Sequence, residues 1–147
     1  MVRSTERTLT VLAGIMSLLA LADGVLHFAL DFVLFRGNIF GAFGPRELPL
    51  ALNQLFALNL VGYVVLVLVL WFAAPRLGGS SWLVNVLFMI YIALVVAGWL
   101  RLGAPNPMGL GYLSKGLELV LVLVALARIW IALSAPRGMP RVAPQAR

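Results

Sequence analysis

Asp23, His27 and Asp31 recur at intervals of four, and on a helix that spacing stacks them along one face. Two carboxylates flanking an imidazole could exchange a proton near neutral pH or contribute oxygen and nitrogen donors to a cation. Lys115 and Glu118, three residues apart, form a second such pair further along the chain. Asn53, Gln54 and Asn59 add hydrogen-bonding groups, with Tyr63 a turn beyond them, and Arg101 adds a cation.

The surroundings of these residues decide what they mean. Of the 147 residues, 63% are hydrophobic and only 11% are charged, with a mean hydropathy of +1.04. A soluble domain carries about 25% charged residues. A chain this poor in charge is expected to be solvated mainly by lipid. The net charge of +6 therefore reflects membrane topology, and nucleic acid is not an expected partner.

Crossing about 30 Å of hydrocarbon at 1.5 Å per residue takes roughly 20 apolar residues. Stretches at about 8–35, 50–74, 82–102 and 112–133 meet that need, and Gly-, Pro- and Arg-rich segments separate them. Each is far longer than a barrel strand, so the expected fold is an all-α polytopic membrane protein, a four-transmembrane-helix bundle over residues 1–135. Residues 136–147 form a basic, Pro-rich cytoplasmic tail suited to anionic headgroups. Arg3 and Arg7 ahead of an apolar run, with Ala20, Leu21 and Ala22 as a cleavage site, resemble a secretory signal. Because hydrophobicity continues through Phe35, an uncleaved first span fits better.

An N-terminus in the cytoplasm places Arg3, Arg7, Arg76, Arg128, Arg137, Arg141 and Arg147 on or near the inner side, against Arg36, Arg46, Arg101 and Lys115 outside. Both termini are thus expected in the cytoplasm. If the first helix leaves the bilayer near Phe35, Asp31, His27 and Asp23 lie about 6, 12 and 18 Å inside the outer boundary. Lys115 and Glu118 enter from the same side to about 5 to 10 Å. In the inner half only Asn85 and Arg128 interrupt the apolar sequence, with Arg128 near enough to the surface to snorkel.

Ionisable groups at such depth must turn inward and compensate one another. The expected polar network or ligand site comprises Asp23, His27, Asp31, Asn53, Asn59, Arg101, Lys115 and Glu118. It joins the first and fourth helices in the extracytoplasmic half. One metal cannot easily take Asp23, His27 and Asp31 together, because eight residues span about 12 Å of helix. The preferred reading of His27 is a hydrogen bond to one carboxylate, with no metal. Lys115, the lone lysine, is expected to pair with Glu118.

The strings LADGVLHFALDFVLFRGN and GAPNPMGLGYLSKGLE resemble segments of uncharacterised small four-helix membrane proteins of bacteria. The resemblance covers most of the chain and implies no activity, cofactor or functional residue. Preference for Arg over Lys is similar to usage in high-GC bacteria. Cysteine is absent, which excludes disulfides, thiolate metal sites and covalently attached haem.

No catalytic constellation is present, so a non-enzymatic role is expected in the bacterial cytoplasmic membrane: an accessory subunit or ligand-binding module of a membrane assembly. Its partners would be the lipid bilayer and other membrane subunits or further copies of the chain. The first alternative is a minimal transporter or proton or ion conductor lined by the same charged residues. A haem- or quinone-binding electron-transfer subunit using His27 is the second, and the sequence names no cofactor.

Overall fold

A computed structural model of the chain describes residues 2–36 and 50–134, apart from the side chains of Val2, Arg3, Asp31, Phe32, Phe35, Gly79 and Pro107. Most of the expected segment between the first two helices, and the expected basic tail, lie outside the described residues.

Leu, Val and Ala fill long runs without an interior proline, and those runs form four helices: α1 (Val2–Phe35), α2 (Leu52–Leu68), α3 (Trp82–Arg101) and α4 (Leu110–Ser134). All four, counting the continuation of α2 through Gly78, are long and apolar enough to cross a membrane. The described fold is all-α. The expected runs fall on these helices, but α2 continues past the expected end at 74 and α1 starts six residues before its apolar run, at Val2. No Gly or Pro in RSTER stops it.

Helix α2 does not end at Leu68 but changes pitch. A π-turn at Val69–Ala73 leads into a 3-10 segment at Ala74–Ser80, and the Ala74 N–H donates to the Val69 carbonyl five residues back. Pro75 has no N–H to give Trp71 and its ring would crowd that carbonyl, so a wider turn ahead of it relieves the clash. The Arg76 guanidinium donates to the carbonyl of Phe72.

Helix α3 ends in a Schellman motif. Gly103 takes φ +80°, its N–H donates to the Leu100 carbonyl at 3.0 Å, and the Ala104 N–H donates to the Trp99 carbonyl at 3.0 Å. Four residues before α4, Asn106 caps its first turn from outside, its Oδ1 accepting the Tyr112 N–H at 3.1 Å. A side chain at Gly111 would collide with the Pro105 carbonyl, so the connection can lie flat on α4 only with glycine there.

Helix α1 packs broadly against α2 and α4, and α4 packs against α3; the seam between α2 and α3 is the sparsest. The core between them is an apolar stack of Met16, Ala20, Leu66, Phe88, Leu121 and Ala125. Outward faces are also apolar, with Leu18 72% and Trp130 74% exposed. Such a perimeter suits lipid rather than water.

Candidate functional site

Helix α1 places Asp23 and His27 one turn apart on its inner face. Gly24 lets α1 meet α2 closely at this level: a side-chain carbon there would lie 3.2 Å from the Leu60 Cα and 3.4 Å from the Tyr63 ring. Asp23 is consequently sealed in the interior, at 0% exposure. Glu118 reaches the same point from α4 at 1% exposure. One donor atom each from Asp23, His27 and Glu118 fall within 4.8 Å of one another.

The His27 Nδ1–H donates to the Asp23 main-chain carbonyl at 2.9 Å, while the Asp23 carboxylate stands 3.6 Å from Nδ1. A carbonyl can only accept, so in neutral imidazole Nδ1 carries the proton and Nε2 keeps its lone pair. The expected hydrogen bond to a carboxylate is thus made to main chain instead. The edge of the His27 ring meets Phe56, with centroids 5.8 Å apart.

Lys115 pairs with Glu118 through Oε1, as the spacing predicts, and its ammonium sits 5.6 Å from the Trp99 ring centroid. The Ser114 hydroxyl donates to the same oxygen at 3.4 Å. Across the bundle, Tyr91 donates to Asn59 Oδ1 at 2.8 Å and packs edge-on against Tyr63, centroids 5.1 Å apart. Both carboxylate oxygens of Asp23, Oε2 of Glu118, the Tyr63 hydroxyl and Asn59 Nδ2 are buried without a hydrogen-bond partner. In a folded interior such atoms are normally satisfied.

Beside this cluster lies a partly open cavity of about 400 Å³. Its walls are mostly leucine, with Phe56, Val95 and Trp99, and its polar lining is His27, Asn59, Tyr91, Ser114 and Lys115. It runs from His27 to Leu34, Leu102 and Pro105, at the end of the bundle where α1 and α3 finish and α2 and α4 begin. No match is found among protein-family models, curated proteins or solved structures.

Of the residues expected from sequence, Asp23, His27, Lys115 and Glu118 meet, and Asn59 lines the adjoining cavity. Asn53 is buried on α2, about 9 Å further along the axis than Asn59. Arg101 is exposed at the end of α3 and takes no part in the cluster. The side chain of Asp31 lies outside the described residues. Sequence reasoning missed Tyr91 and Ser114. Ser114 stands four before Glu118, a spacing that could have revealed it; Tyr91 sits in an apolar run whose spacing carries no such signal.

At the far end, Arg128 does not snorkel. It is buried, donates from Nε to Asn85 Oδ1 at 2.9 Å and from Nη1 to the Leu9 carbonyl. Acceptors offered by α3 and α1 hold the guanidinium inside.

Proposed function

We propose that the chain is a multi-pass protein of the bacterial cytoplasmic membrane, both termini cytoplasmic, that holds a small amphipathic ligand as part of a membrane assembly. The cavity carries this reading. A volume of about 400 Å³ suits a small molecule, and apolar walls with a few convergent polar groups are the usual make-up of a ligand site. The walls would take an acyl or isoprenoid chain; Lys115, Ser114, Asn59 and His27 would receive a hydrogen-bonding or anionic head. The apolar perimeter supports membrane insertion, and the basic residues grouped towards the termini support the orientation.

Binding is favoured over conduction by the core. Met16, Ala20, Leu66, Phe88, Leu121 and Ala125 fill the bundle between the polar cluster and Arg128, a layer that offers an ion nothing to replace its water.

Gly98 provides the test, since it lines the cavity, yet a Cβ built on it meets nothing within 4 Å. Gly98→Leu should fill the space without disturbing the backbone. Mass spectrometry of protein gently extracted from membranes should show an amphipathic molecule bound to the wild type and lost from Gly98→Leu. Equal recovery from both, or none from either, would sink the proposal.

A further inference from the structure

From the convergence of Asp23, His27 and Glu118 beneath the cavity, we infer a binding site for one divalent transition-metal ion of the zinc, manganese or iron class. The inference goes beyond ligand binding in the cavity and stands or falls separately from it.

Donor identity comes first. One imidazole and two carboxylates form a set that such ions accept, whereas calcium and magnesium prefer all-oxygen shells. Ligands at about 2.1 Å from a tetrahedral centre are about 3.4 Å apart, so donors already within 4.8 Å must draw in by about 1.4 Å, with His27 presenting Nε2 because Nδ1 carries its proton.

The second observation is the set of unpartnered atoms. Asp23 Oδ1 and Oδ2 and Glu118 Oε2 are buried, make no close hydrogen bond, with only the Tyr63 hydroxyl near Asp23, and belong to the residues that converge. Lys115 occupies the other Glu118 oxygen, and His27 directs its Nδ1–H to a main-chain carbonyl. That second bond is how a metal-ligating histidine is commonly oriented.

Sequence spacing hid this site because it offered Asp31 as the third donor, along the same helix. Packing supplies Glu118 from α4 at the right height instead. Three protein donors leave a coordination position open, which water can fill.

The experiment loads purified wild-type protein with Zn²⁺ or Mn²⁺, desalts it and measures retained metal by elemental mass spectrometry. About one ion per chain should remain, and added Zn²⁺ should raise the melting temperature. Asp23→Asn, His27→Gln and Glu118→Gln should each lower retention by about tenfold or more. Gly98→Leu should retain metal like the wild type, so that loss of the cavity ligand and loss of the ion are told apart. Pulsed electron paramagnetic resonance of the Mn²⁺-loaded wild type should show nitrogen modulation from one imidazole, a readout that depends on no variant's folding. Sub-stoichiometric metal in the wild type, wild-type retention in all three ligand variants, or a spectrum without nitrogen coupling would each overturn the inference.

Discussion

Glu118 and Arg128 lie about 15 Å apart along α4, both buried, and they meet opposite fates. Arg128 finds acceptors on α3 and α1, and neither it nor Asn85 is left with an unpartnered buried atom. Glu118 keeps one oxygen bare, facing an aspartate whose two oxygens are also bare. A polar network that closes on itself needs nothing further and serves to fix which helix faces pair. One that stays open beside a cavity is built around something else. The apolar layer between them keeps the two apart, so each can be disturbed alone.

The largest effect is expected at the closed end. Asn85→Leu removes the acceptor of the Arg128 Nε and leaves a buried charge short of a partner, at a cost of about 2 to 3 kcal/mol in unfolding free energy measured in detergent. A loss below about 0.5 kcal/mol, the level of an indifferent substitution, would dissolve the contrast. Next is Gly111→Ala in the α3–α4 connection. Its methyl group would strike the Pro105 carbonyl, and overpacking of this kind costs about 2 kcal/mol. Because the connection also bounds the cavity, recovery of the bound molecule should fall with it. Tyr91→Phe is smaller: it removes the bond to Asn59 and should cost about 1 kcal/mol.

Much of the scaffold was legible in the sequence because long apolar runs between Gly- and Pro-rich breaks are recorded directly in hydropathy. Gly103 and Pro105 mark an interruption that the helices respect, whereas Pro75 only changes the pitch of α2. The pairing of Lys115 with Glu118 was also readable, since it lies within one helix. What spacing could not carry was contact between helices. Nothing along the chain says that Glu118 stands level with Asp23 or that Tyr91 reaches Asn59; those facts depend on how far each helix slides and turns against its neighbour. That adjustment is set locally, by Gly24 admitting the Leu60 backbone and by Gly62 leaving room for the Tyr91 hydroxyl. Arg128 shows the same limit from the other side. Hydropathy alone sends it to the surface, and acceptors on two other helices keep it in.

The smallest expected effect is the most discriminating. Replacing a buried carboxylate that belongs to a finished network removes an acceptor its neighbours need, and stability falls by about 2 kcal/mol or more. Asp23 makes no close side-chain hydrogen bond; the His27 ring at 3.6 Å and the nearby Tyr63 hydroxyl are its polar neighbours, and asparagine can still face both. Asparagine is nearly its shape and carries no charge into the apolar interior. In metal-free protein, Asp23→Asn should therefore unfold within about 0.5 kcal/mol of the wild type or slightly above it. The test is an unfolding titration in detergent with a chelator present. A loss comparable to that of Asn85→Leu would mean that Asp23 already holds the bundle together without a guest, and the two ends of α4 would then be alike.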